Sequence, residues 1–199
     1  MPLERIKELI VSDEDLLFVI NTEIELIQDF CSQEKLQNLA PILKIIDSNS
    51  TMQIAPLGEG ESFNKSTERR RVLQEIGAHF RSHWGKEVFP AIVILTSEAW
   101  LKAFEQEKPP QEYHRAPSDY PDAIDTIVIQ AITLVKSSPE DAEGKPRAGM
   151  GVLEIKKRKP YISTKSYIDP SVFPVSPNNT DLLNHFFLGW FKQGLTEQN

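Results

Sequence analysis

Val88-Phe89-Pro90-Ala91-Ile92-Val93-Ile94-Leu95-Thr96, continued by Ser97-Glu98-Ala99-Trp100, decides how the chain is read. From Ala91 to Leu95 every residue is apolar and most are β-branched. A strand exposed on one face alternates apolar with polar residues. An unbroken apolar run describes a strand covered on both faces, near the middle of a sheet. Pro90 has no N–H to give to a ladder and suits the start of that strand.

Downstream, a polar connection carrying Pro109, Pro110, Pro117 and Pro121 leads to a second β-type run, Ile124 to Val135. Ile127, Ile129 and Val135 fall on one side of it, and Ile124, Val128, Ile132 and Leu134 on the other. The segment Ser137 to Arg147 is polar and has no helical pattern, which suits antiparallel neighbours. The segment Ser97 to Asp122 is long enough for a crossover, so the relative direction of the first two strands stays open. A third strand covers Ala148 to Lys157, where Gly149 and Gly151 mark a bulge or a close approach of another backbone. Lys159-Pro160 turns the chain, and Tyr161-Ile162-Ser163 reads as a short fourth strand. Residues 164–179 look irregular. Thr180-Asp181 then caps a final helix carrying Leu182, Leu183, Phe186, Phe187, Trp190 and Phe191.

Upstream, the spacing of Leu3, Ile6, Leu9 and Ile10 predicts a short helix over 3–11. Ser12, followed by Asp13, Glu14 and Asp15, caps a second one with the apolar stripe Leu16, Leu17, Ile20, Ile24, Ile27 and Phe30. Leu36, Leu39, Leu43 and Ile46 predict a third, interrupted or kinked by Pro41, with a turn at Asp47–Ser50. Thr51–Ala55 alternates weakly, as a short edge strand does. Val72, Ile76, Phe80 and Trp84 give a helix over 66–84 that Gly85-Lys86 terminates.

The expected fold is therefore α+β. A mainly antiparallel sheet of three long strands plus one or two short ones is flanked by helices, within one domain over 1–199. Residues 1–47 form a helical N-terminal segment, and 51–199 the sheet and its packing helices. The 199 residues are enough to bury a core without staples. A net charge of −7 argues against a general binder of nucleic acid or anionic membranes. Cys31 is the single cysteine, so no internal disulfide forms and a reducing cytoplasm is the expected compartment. The N-terminus lacks a signal-peptide pattern, and no apolar run approaches the ~20 residues of a membrane span.

The motifs that suggest chemistry are weak. His79 and His83 share a helix face at ligand spacing, but the third ligand is undetermined among His114, His185, Glu98 and Asp119; no metal or other cofactor is expected. Cys31 lacks a nucleophile signature and reads as a small buried apolar residue. Arg69-Arg70-Arg71 and Lys156-Lys157-Arg158-Lys159 have no interleaved aromatics and read as solvated faces. Gly58-Glu59-Gly60-Glu61 and Gly149-Met150-Gly151 lack the frame of a phosphate loop. Asp119, Asp122 and Asp125 lack calcium-loop spacing. The one candidate ligand site lies at the exit of the central strand: Glu98 and Trp100, with Tyr113, His114, Asp119 and Tyr120 from the connection that follows. The competing reading has Glu98 capping a short helix through Phe104, with Trp100 filling the core.

The layout of Ser97-Glu98-Ala99-Trp100, the strand from Ile124, a third strand and the closing Ser176-Pro177…Leu182-Leu183…Phe186-Phe187…Trp190 helix resembles a group of small, uncharacterised bacterial and phage-type proteins over about residues 86–193. That resemblance implies a layout and no catalytic residues. The functional expectation is a non-catalytic adaptor or regulatory domain that meets a protein partner, or a second copy of itself, through the C-terminal helix. The alternative is a small enzyme or ligand binder at Glu98. In either case Trp190 should be core or interface. Trp190→Ala is expected to cost about 3–5 kcal/mol, read as a lowered melting temperature.

Overall fold

The computed structural model describes residues 6–33, 39–57, 66–101, 121, 123–140, 147–158, 161–167 and 181–196. At 31–33, 66, 100–101, 156–158, 161–167 and 181 the description is of the backbone. The elements are α1 (Asp13–Gln33), β1 (Ile42–Asp47), β2 (Met52–Pro56), α2 (Ser66–Trp84), β3 (Pro90–Leu101), β4 (Ile124–Thr133), β5 (Arg147–Arg158), β6 (Tyr161–Tyr167) and α3 (Asp181–Thr196). The strands form one sheet in the order β2-β1-β3-β4-β5-β6, and every neighbouring pair is antiparallel. The open question of strand direction is thus settled: β3 and β4 run antiparallel, with Val93 opposite Ile132 and Leu101 opposite Ile124.

β3 lies inside the sheet, and Ala91 to Thr96 are buried on both faces. Ile92 and Ile94 join Ile127, Ile129, Ala131 and Leu153 under α1, which contributes Leu16, Val19, Ile20, Ile24 and Ile27. Val93 and Leu95 join Leu43, Ile45, Ile132 and Ala148 on the other face, under Leu73 of α2 and Leu183, Phe186 and Phe187 of α3. The α+β fold with an antiparallel sheet and flanking helices is as the sequence implied.

Two N-terminal expectations are corrected. The third helix does not continue to Ile46, because Ile42–Asp47 is β1, which pairs with β3 and β2. Leucine spacing suggested a helix, but Pro41 cannot be carried inside one cheaply, and the following Ile42-Leu43-Lys44-Ile45-Ile46 suits a pleated strand. Among the described residues the sheet consequently has three long and three short strands, and residues 1–47 are not wholly helical. Nor do residues 6–11 form the α-helix expected over 3–11. Residues 6–8 make one 3₁₀ turn, Leu9 takes φ 55°, and Ile10 then pairs in parallel with Lys136 beyond the end of β4. Arg147 clamps this junction: its guanidinium donates to the carbonyls of Val11, Val135 and Lys136 and pairs with Asp13 at 2.8 Å.

Other local signals act as read. The Ser12 hydroxyl accepts the Asp15 N–H at 3.2 Å, and the Asp15 carboxylate accepts the Ser12 N–H at 2.8 Å, which closes a reciprocal cap at the start of α1. The β1–β2 turn is held by Asp47, whose Oδ1 accepts the N–H groups of Asn49 and Thr51. Gly85 ends α2 at φ 70°.

The glycines of β5 introduce no bulge, since β4 and β5 pair without a register break. A Cβ on Gly151 would stand 2.8 Å from Ile20 Cγ2, so the glycine lets α1 settle onto the sheet. The same device recurs, unforeseen, between α2 and α3. A Cβ on Gly77 would lie 2.0 Å from the Phe186 carbonyl oxygen, and one on Gly189 would lie 1.9 Å from that of Gln74. The two helices therefore touch backbone to backbone. Around this contact Trp84 meets Trp190 edge-on, Phe89 meets Trp190 likewise, and the Arg81 guanidinium stands 5.3 Å from the Trp190 ring. Gly77→Ala and Gly189→Ala must each push backbones apart and are expected to cost about 1–3 kcal/mol or more. Gly85→Ala meets no atom within 4 Å and should cost only the left-handed backbone strain, about 1–2 kcal/mol. Denaturant midpoints of the three variants check the order.

Candidate functional site

The face of the sheet under α1 carries a set of polar side chains among its aliphatic ones. β3 places Thr96 and Glu98 on the same side as Ile92 and Ile94, because strand geometry persists to Leu101. β1 brings Lys44 to that side, opposite Ile94, and Ile42 opposite Thr96. From above, α1 lowers Glu23, which sits between Ile20 and Ile24 in its buried stripe. Lys44 Nζ donates to both Glu23 carboxylate oxygens, at 2.6 and 2.7 Å, with side-chain exposures of 15% and 5%. Thr96 is buried, and its hydroxyl has no hydrogen-bond partner among the described residues.

Glu98 is half-buried, and its Oε1 accepts the N–H of Leu39 at 2.7 Å. This bond ties the chain leaving α1 to the exit of the central strand. Glu98 does not cap a helix here, because Ser97 to Leu101 remain in β3. The backbone of Trp100 pairs with Asp125 of β4. Tyr113, His114, Asp119 and Tyr120 lie outside the described residues, as do Asp122 and the loop around Gly58. Cys31 is described only as backbone of α1. The structure therefore joins Glu98 to Leu39 and sets it on the same face as Thr96, Lys44 and Glu23. The sequence carried signals for the last two: a lysine centred in the apolar run Ile42–Ile46, and a glutamate inside the buried stripe of α1.

His79 and His83 do share a face of α2, with ring centroids 4.0 Å apart. Both are exposed, and His83 Nδ1 lies 2.9 Å from the His79 carbonyl oxygen, the place of an N–H donor. Glu98 is on the opposite face of the sheet, and His185 Nδ1 receives the Gln74 amide at 2.9 Å. Among the described residues no three histidine, cysteine, aspartate or glutamate side chains gather where an ion could be held. Of the arginine run, Arg71 pairs with Glu68 at 3.0 Å and Glu75 at 2.6 Å. These hydrogen bonds, that to Glu68 foremost, hold its exposed guanidinium above the ordinary arginine value. No described helix is long and apolar enough to cross a membrane. Comparison with protein-family models, curated protein sequences and solved structures found no match.

Removing one member of the Glu23–Lys44 pair leaves a buried charge without its counter-ion. Lys44→Met alone is expected to cost about 3–5 kcal/mol, and the double change Glu23→Leu, Lys44→Met to recover most of it. Thr96→Val removes a hydroxyl with no hydrogen-bond partner among the described residues at nearly constant shape, and should be neutral or slightly stabilising. A double-mutant cycle by chemical denaturation reads the first. The same assay on Thr96→Val reads the second.

Proposed function

We propose that the chain is a non-catalytic protein-binding domain, adaptor or regulatory in kind and acting in the reducing cytoplasm, and that its contact surface is the outer flank of α3. The observation that carries this reading is the row Leu188, Phe191 and Leu195, which stays 45%, 47% and 64% exposed on a helix whose Leu183, Phe186, Phe187 and Trp190 are buried. Leu183, Phe186, Phe187 and Trp190 are spent on the fold, so most of the apolar character of α3 is internal. The remaining row continues Asn184 at steps of four, three and four residues, the spacing by which one helix seats against another. His185 and Gly189, which meet α2, lie on a different side of α3, so the row is turned away from that neighbour. A second copy offering the same row is the simplest occupant. The resemblance of residues 86–193 to small bacterial and phage-type proteins adds a layout to this reading and no activity.

The alternative, a small-molecule site at the end of β3, is favoured by one observation. Glu98, half-buried beside Thr96, is held in place by a backbone N–H. A carboxylate oriented in this way can also anchor a loop, and its bond to Leu39 gives it that task already.

Sedimentation analysis separates the readings. The wild-type chain is expected to associate reversibly, and the variant Leu188→Glu, Leu195→Glu to sediment as a monomer with an unchanged melting temperature. A wild-type chain that stays monomeric at high micromolar concentration would remove the α3 dimer.

A further inference from the structure

A second surface stands apart from α3, at the outer edge of β2. Asp47 N–H donates to the Thr51 carbonyl at 3.0 Å, and Leu57 N–H to the Pro41 carbonyl at 2.9 Å. The β1–β2 register between these bonds is unbroken. By alternation, the backbone groups of Gln53 and Ala55 face β1, and those of Met52, Ile54 and Pro56 face outward. Pro56 fits this assignment, because it lacks an N–H at a position where the ladder needs none. β2 ends the sheet, so the N–H and C=O groups of Met52 and Ile54 have no strand to pair with among the described residues.

Such edges are ordinarily guarded by charge, proline, a bulge, a short strand or a covering element. β2 has two of these devices, its five-residue length and Pro56 at its end, which leave Met52 and Ile54 as the outward-facing residues with an N–H to offer. Met52-Gln53-Ile54-Ala55-Pro56 carries no charge, and Met52 and Ile54 are 48% and 60% exposed. Directly beside the edge, on the α2 side, runs an open groove of about 490 Å³. Ala55 is the strand residue that lines it; Val72, Ile76 and Phe80 of α2 form its apolar wall, with Glu75 and His79 at the rim. An unpaired strand edge next to an apolar helix groove is the geometry in which an added strand finds both backbone partners and a side-chain pocket.

We propose that the outer edge of β2 takes up an extended segment of a partner protein as a seventh strand. Its backbone pairs with Met52 and Ile54, and a large apolar side chain enters the groove under α2. A second copy of this chain fits less well. Its own β2 would bring only Gln53 and Ala55 to the α2 side, too little to fill the groove, and Pro56 opposite Met52 would leave the Met52 carbonyl without a donor.

The test uses the full chain and short random peptides displayed on phage. Enriched peptides should carry apolar residues at alternate positions. A synthetic copy of one should lose roughly tenfold or more in affinity when N-methylated on residues of one parity, and little on those of the other. Ile54→Pro removes an outward-facing N–H, and no donor of the β1–β2 ladder, together with a largely exposed side chain, and should weaken the unmethylated peptide comparably with little change in melting temperature. Peptide binding should also slow amide exchange at Met52 and Ile54, a readout that needs no variant. Failure to enrich any sequence family, or binding indifferent to methylation parity, overturns the proposal. So does a wild-type dimer that Ile54→Pro dissociates, since that would give the edge to a second copy. A dimer held by α3 survives Ile54→Pro, so the two readings fail separately.

Discussion

Everything in this fold answers to the burial of β3 on both faces. A strand with Ile92 and Ile94 on one side and Val93 and Leu95 on the other cannot face water on either. One layer of helix above and another below are then obligatory. α1 supplies the first. α2 and α3 together supply the second, and they do it as a fused pair, because Gly77 and Gly189 remove the side chains that would hold their axes apart. Gly151 plays the corresponding part for α1 against the sheet. In each case a missing Cβ turns an approximate stacking of elements into a close one, where dispersion and apolar burial act at full strength.

Within these apolar layers a few polar side chains determine registration. The Glu23–Lys44 pair fixes α1 over β1, and Glu98 fixes the segment after α1 through Leu39. Arg147 joins the start of α1 to the end of β4 through three carbonyls and Asp13. A buried ion pair contributes little net stability against an apolar substitute, but a wrong alignment that separates it is heavily penalised. Aliphatic contacts alone would tolerate a shift of α1 along the sheet; these bonds do not.

The surfaces left over are unlike each other. The flank of α3 offers side chains in a helical row, which suits another helix. The edge of β2 offers backbone groups, which suit another strand. Glu98 gives one carboxylate oxygen to a structural bond with Leu39, while among the described residues Leu188, Phe191 and Leu195 of α3 and Met52 and Ile54 of β2 stay exposed.

How much of this the sequence carried depends on the range of the interaction involved. Local physics was legible: the unbroken run Ala91–Leu95 announced an interior strand, Ser12 and Asp15 the cap of α1, Gly85 the end of α2, and the alternation of Ile127, Ile129 and Ile132 the two faces of β4. These signals rest on periodicity and backbone freedom, which a residue and its near neighbours decide. β1 was misread because Leu36, Leu39, Leu43 and Ile46 satisfy a helical period; pairing with β3 overrode it. Nothing in the sequence around Gly77 or Gly189 announced a partner, since each acquires meaning only from a backbone more than a hundred residues away. The candidate site followed the same division. Glu98 was visible as a carboxylate at a strand end, whereas its bond to Leu39 and the company of Lys44 and Glu23 exist only once the sheet has brought β1 beside β3. Sequence alone determined which segments are strand or helix wherever the local period was unambiguous. Tertiary structure decided which of them touch, because contact free energy depends on atoms that only the folded chain brings within van der Waals range.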